Sequence, residues 1–168
     1  MAKTLKNTSY QDFLLYYNQF KELYKLHVKL NFGRAPDMPS GFSEKLCRKI
    51  FDLEKSDSKD YDAIDLSKNK IEIKATSSIS GQTTIKTKMH FDNLYWMDFD
   101  LENYDLFVSI LPKKLFNSYE SSLKDRESIS LKLIRDNNKN VEKYKIDLQM
   151  LISNPNGAII KTNIVRKI

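Results

Sequence analysis

Two acids and a lysine stand close together in YDAIDLSKNKIEIK, residues 61–74. Glu72 and Lys74 are two apart, with Ile71 and Ile73 interleaved. In a β-strand, residues i and i+2 share a face. The isoleucines can therefore enter a core while the Glu72 carboxylate and the Lys74 ammonium stand together on the other side. Asp62 lies just upstream, across the turn SKNK. Such a grouping suits a hard cation, with two carboxylates, water and a substrate oxygen around magnesium. Lys74 would then orient or help deprotonate an attacking water, or stabilise charge building on a phosphate. The bland alternative is a solvated strand face, and acid-x-Lys also occurs in a polar loop at Asp57-Ser58-Lys59. Asp65 competes with Asp62 for the role of second acid. Pairing Leu66 with Ile71 would set Asp65 opposite Glu72 and turn Asp62 to the isoleucine face. A pairing shifted by one residue would bring Asp62, Glu72 and Lys74 onto one face. Register is not fixed by sequence, so both acids stand.

The flanking elements must position this strand. Phe13, Leu14, Tyr17, Phe20, Tyr24 and Val28 recur at helical spacing and predict a helix from about Tyr10 to Leu30, capped by Thr8 or Ser9. Tyr16, Leu23 and Leu26 widen its apolar surface, which reads as a core helix covered on most sides, or alternatively as a dimer contact. The loop NFGRAPDMPSG precedes a second helix, with Ser40 or Ser43 as cap and Phe42, Leu46, Ile50 and Leu53 along one side. Glu44 lies nearly opposite Phe42 and can point toward a neighbouring site, although an acid in a first helical turn is also favoured by the helix dipole. Strands are predicted near Tyr61–Leu66 and Lys70–Thr76, and the unbroken apolar run YDLFVSILP predicts a buried strand. KKLFNSYESSLK reads as a helix, ISLKLIR and VEKYKIDLQ as strands, and NPNG as a turn before a last strand, AIIKTNIVRK. This order favours an α/β (α+β) fold, a central mixed sheet flanked by helices. One domain is expected over residues 1–168, with a helical part at about 8–55, a sheet core at about 58–112 and a further strand and helix part at about 113–168.

Composition narrows the function. Hydrophobic residues at 40% and charged residues at 30% indicate a folded chain rather than a disordered one. One cysteine and two histidines exclude an internal disulfide and a Cys- or His-rich zinc site, leaving carboxylates as the ligands for any metal. The polar start MAKTLKNTSYQDF has no apolar signal region, and no run approaches a bilayer span, so a cytoplasmic bacterial protein is expected. A net charge of +6 favours an anionic partner, nucleic acid first.

YDAIDLSKNKIEIKATSS resembles the catalytic core of the PD-(D/E)XK nucleases, in particular the small type II restriction endonucleases. In those enzymes an Asp heads one strand, a hairpin follows, and an apolar-Glu-apolar-Lys strand ends in Ala-Thr-Ser or similar. The similarity continues more loosely through GQTTIKTKMHFDNLYWMDFD and YDLFVSILP, over roughly residues 40–112. Tyr61 stands where the proline that names the motif is found. The resemblance implies a restriction-endonuclease-like fold. It implies a magnesium ion held by Asp62, Glu72 and the backbone carbonyl of Ile73, with Asp65 as the alternative to Asp62. Lys74 would serve the nucleophilic water, and Glu44 would be a helix glutamate near the metal. The implied substrate is double-stranded DNA, cut at a short palindrome by a homodimer, with a companion DNA methyltransferase protecting the cell's own copy of the site.

Reading DNA needs phosphate contacts for position and base-edge contacts for choice. TSSISGQTTIKTK offers both through Thr76, Ser77, Ser78, Gln82, Thr83, Thr84, Lys86 and Lys88, and Arg34 adds a cation in the preceding loop. The same stretch also fits a plain polar hairpin. Tyr95 and Trp96, flanked by Leu94 and Met97, read as core rather than as base-stacking platforms. Two rivals accompany the restriction-enzyme reading: a junction or repair nuclease of the same fold, and a non-catalytic basic nucleic-acid-binding domain.

Overall fold

The computed structural model describes residues 7–78, 83–86, 90–120 and 128–166. Helix α1 (Tyr10–Leu30) begins at a capping box, in which Ser9 accepts from the Asp12 N–H and the Asp12 carboxylate accepts from the Ser9 N–H. Its Phe13, Tyr17, Phe20 and Tyr24 are buried, but Val28, Leu23 and Leu26 are exposed. The expectation of a helix covered on most sides is therefore corrected. The core lies against one stripe, with Tyr10 and Leu14 partly buried beside it, and Leu23, Leu26 and Val28 face outward.

Helix α2 (Ser40–Phe51) starts after Pro39 with no side-chain cap. Ser43 turns back instead to donate to the carbonyls of Pro39 and Ser40, so neither expected serine caps the helix. Phe42, Leu46 and Cys47 of α2 are buried, as is Leu53 just beyond it.

The strands are β1 (Glu54–Lys55), β2 (Ala63–Ile64), β3 (Lys70–Thr76), β4 (Thr84–Lys86), β5 (Asn93–Asp100), β6 (Asp105–Pro112), β7 (Ser128–Ser130), β8 (Glu142–Asp147) and β9 (Ile159–Lys161). The central sheet has seven strands in the order β1-β2-β3-β5-β6-β8-β9, while β4 and β7 pair separately. Only β3 and β5 run parallel among these pairs, which makes the central sheet mixed and bears out the expected fold class.

Both faces of the central strands are covered, which is why β5 and β6 read as near-continuous apolar runs. Tyr95, Met97 and Phe99 face the core under α1 and α2. Leu94 and Trp96 face a second cluster with Leu111, Phe116, Ile129, Leu131 and Ile134. Tyr95 and Trp96 are thus core residues, as expected. Asp92 pins the start of β3 to β5: its N–H donates to the Lys70 carbonyl and its carboxylate accepts from the Lys70 N–H, each at 2.8 Å.

The C-terminal part departs from expectation in three places. ISLKLIR is not one strand: after β7 the chain enters α4 (Leu131–Asp136). Ser130 caps it by accepting from the Leu133 N–H, and Leu131, Ile134 and Arg135 form its buried face. Helical spacing of the apolar residues beat the short alternation of Ile129 with Leu131. KKLFNSYE gives a 3-10 turn at Lys113–Leu115 and a short α3 (Asn117–Glu120) rather than one continuous helix. NPNG forms a one-turn helix, α5 (Pro155–Ala158), capped by Asn154.

Candidate active site

Strand β2 is only two residues long, and this shapes the site. Its register pairs Ala63 with Ile71 and Ile64 with Lys70. Continued one step, that register sets Asp62 across from Glu72. Asp62 therefore sits where β2 ends and where, among the described residues, the side of β3 away from β5 has no further strand partner. Its N–H donates to the Ile71 carbonyl at 2.9 Å, and its Oδ2 accepts from the Ile73 N–H at 2.8 Å. The carboxylate so replaces the missing strand partner. The Ile73 carbonyl points the same way as its N–H, out from the same edge beside Asp62.

Asp65 is placed differently. It heads the β2–β3 turn, where Oδ1 accepts from the Asn69 N–H at 2.9 Å and Oδ2 from the Asn69 side-chain amide at 2.8 Å. The turn also holds Lys68 at φ +65°, in the left-handed region. Burial pulls the Asp65 pKa up, but hydrogen bonds from Asn69 and the Ser67 backbone outweigh it and hold the carboxyl below its ordinary range. Its oxygens are engaged within the turn, away from the Glu72–Lys74 pair.

Glu72 and Lys74 share the face of β3 opposite the buried Ile71 and Ile73. Lys74 Nζ lies 2.5 Å from Glu72 Oε1, with the carboxylate the less exposed partner. Burial, and then the charge of Asp62, raise the Glu72 pKa above its ordinary value, against the pull of the Lys74 ammonium. Glu44, from α2, feels the same surroundings. Burial and the Asp62 charge raise its pKa, Arg48 lowers it, and Glu72 and Lys74 act on it in opposite senses. Arg48 Nη1 is 3.9 Å from Glu44 Oε2, one helical turn on. Sequence reasoning missed Arg48, although its i+4 spacing from Glu44 was visible.

Three carboxylates and one ammonium thus act on one another at the edge of β3. Partial burial and mutual repulsion raise the pKa of two of those carboxylates, Glu44 and Glu72, and a bound cation would relieve that repulsion. Among the described residues, no three His, Cys, Asp or Glu side chains form a ready-made metal cage. The available donors are one oxygen each of Asp62 and Glu72 plus the Ile73 carbonyl. They suit an ion that keeps several waters, as magnesium does.

The expected DNA contacts divide. Thr76 and Ser77 are 3% and 2% exposed, and the Ser77 hydroxyl accepts from the Met38 N–H at 3.2 Å. Both are buried, and Ser77 braces the loop before α2, so they are corrected from surface contacts to packing residues. Ser78 is half-buried; its hydroxyl is 3.2 Å from that of Thr76 and its carbonyl accepts from Arg166. Thr83 is half-buried, and Thr84 is exposed at the start of β4, where it pairs with Ser130 of β7. Lys86 ends β4, and nothing is described of its side chain; Gln82 and Lys88 lie outside the described residues. Arg34 is exposed and 2.6 Å from Asp37.

One buried ionic group on β5 had no signal in the sequence. Arg166 Nη2 lies 3.0 Å from Asp98 Oδ1, and the same guanidinium donates to the carbonyls of Phe99 and Ser78. Burial pushes the Asp98 pKa up to about 6, with Arg166 and Arg135 pulling against it. Arg135 itself stacks 4.6 Å over the Trp96 ring. This group ties the C-terminus to the exit of β3 and thereby steadies the site.

No helix among the described residues is long and apolar enough to cross a membrane. A search of curated proteins returned no match. A family model described as Bsp6I restriction endonuclease matches residues 5–125, more than two thirds of the chain, and spans Glu44, Asp62, Glu72 and Lys74. On that match, the chain belongs to the Bsp6I restriction endonuclease family.

Proposed function

We propose that this restriction endonuclease is a magnesium-dependent type II enzyme of the PD-(D/E)XK kind, hydrolysing both strands of duplex DNA at a short palindrome. Family membership supports DNA as the substrate and site-specific hydrolysis as the chemistry. The observation that carries the finer reading is the edge of β3. There Asp62 closes on the Ile73 N–H beside the bonded Glu72–Lys74 pair.

Asp62, Glu72 and the Ile73 carbonyl would hold the ion. When bound, magnesium would supply charge neutralisation at the phosphate and a lowered water pKa. The protein's own groups do the rest. Strand β3 is pinned at its start by Asp92, so the Glu72 and Lys74 side chains are held on a rigid base. Lys74 orients the attacking water and shares its proton, while its charge opposes that building on the phosphate. Glu44 feels the charges of Asp62 and Glu72 and is balanced by Arg48. The exposed cation Arg34, the threonines Thr83 and Thr84, and Gln82, Lys86 and Lys88 on sequence grounds alone are the candidates for positioning and reading DNA. A cognate methyltransferase modifying the same site would protect the host DNA.

Digestion of long unmethylated phage DNA, with magnesium or with EDTA and alongside Lys74→Ala, tests this. Discrete fragments that need magnesium and vanish in the variant are expected, and sequencing their ends gives the site. Intact DNA in every lane despite salt-sensitive binding would overturn the catalytic reading.

A further inference from the structure

Helix α1 carries a second, largely apolar stripe, which touches the core at Tyr16, stacked on Phe42 at 5.0 Å, and is otherwise turned outward. Tyr16, Gln19, Leu23, Leu26 and Leu30 follow one another at intervals of three, four, three and four residues. That is the a/d spacing of a coiled-coil seam. The core stripe of Phe13, Tyr17, Phe20 and Tyr24 lies well round the helix from it. Leu23, Leu26, Leu30 and Tyr16 remain 56%, 50%, 47% and 46% exposed. A contiguous row of large exposed apolar side chains of this kind marks an interaction surface.

We propose that this seam binds the same helix of a second copy, antiparallel, about a two-fold axis between Leu23 and Leu26. Reversing the helix about that axis sets Leu23 against the partner's Leu26, Leu26 against the partner's Leu23, and Leu30 over the partner's Gln19. The surface is self-complementary, as a two-fold contact requires. Charge supports this occupant and this direction. Glu22 and Lys29 stand on the same flank of the seam, seven residues apart. In the antiparallel pairing each meets the opposite charge of the partner, giving two symmetric ion pairs. A parallel pairing would set them beside the other flank, which holds Phe20 and His27. Among the described residues Glu22 forms an exposed 2.9 Å pair with Lys25, which costs little to exchange. The inference deepens the proposed function, because a second copy supplies the second active site that a two-strand cut needs. Its test reads mass rather than cleavage, so the two can fail separately.

Sedimentation velocity of the purified full chain, over a range of concentrations, tests the proposal. The wild type is expected at twice the chain mass. The double variant Leu23→Glu/Leu26→Glu is expected at the chain mass, with unchanged circular dichroism because both positions are exposed. Glu22→Lys and Lys29→Glu should each raise the dissociation constant about threefold to tenfold, and combining them should restore it. A wild type that stays monomeric, or a dimer that survives the leucine substitutions, overturns the interface. Failure of the double charge reversal to restore association overturns the antiparallel arrangement.

Discussion

Replacing Lys74 by Met keeps most of the side chain's bulk and removes only its charge and protons. Two consequences follow, of different size. The first is catalytic. A positioned general acid–base group contributes about 10²–10⁴-fold, which corresponds to roughly 3–5 kcal/mol of barrier. The second falls on Glu72, which loses the partner bonded to Oε1 at 2.5 Å. A charge-assisted hydrogen bond is worth about 1.5–3 kcal/mol in protected surroundings and under about 1 kcal/mol when exposed. Lys74 is 37% exposed, so the lower figure applies. At about 1.4 kcal/mol per pH unit, the acidic limb of the rate profile should move to higher pH by less than about one unit. The direction follows because the lost ammonium favoured the ionised carboxylate. The assay is single-turnover cleavage of a supercoiled plasmid in magnesium across pH 5–9, with duplex binding measured in parallel. A rate fall of about 10²-fold or more, with binding little changed and the limb shifted upward, is expected. A rate within about tenfold of wild type, or a limb moved to lower pH, would refute the role given to Lys74 and its coupling to Glu72.

Three further outcomes are expected. Asp62→Asn should abolish cleavage while Asp65→Asn leaves it within a few-fold, because only Asp62 sits at the open edge of β3 and Asp65 is occupied by Asn69; plasmid nicking assays of both variants decide this. Asp98 has a folded pKa of about 6 against an ordinary value of 3.8, so its carboxyl takes a proton in the folded state before the unfolded one, and its contribution to stability should grow as pH falls from 7 through 6. Urea midpoints at pH 7.5 and 5.5 check the sign, and Asp98→Asn should remove that part of the pH dependence. Ser9→Ala breaks the capping box of α1 and should cost about 0.5–2 kcal/mol in urea unfolding, without altering magnesium-dependent cleavage.

The sequence by itself determined the features whose cause is local. Alternation of Ile71 and Ile73 with Glu72 and Lys74 sets β3 and its two faces, because side-chain direction in a strand has a period of two. The α1 and α2 stripes and the buried runs of β5 and β6 are legible for the same reason. Tertiary structure decided what depends on partners distant in the chain. The β2–β3 register set Asp62, rather than Asp65, across from Glu72, and no local preference distinguishes those pairings. Thr76 and Ser77 are buried in the folded chain, Ser77 against the loop before α2, so two hydroxyls suited to DNA became packing groups. The Asp98–Arg166 pair joins residues with no shared periodicity, and only the folded chain brings them together. The outward stripe of α1 was visible as spacing. That it stays uncovered could be learned only from how much of the helix one sheet face can cover.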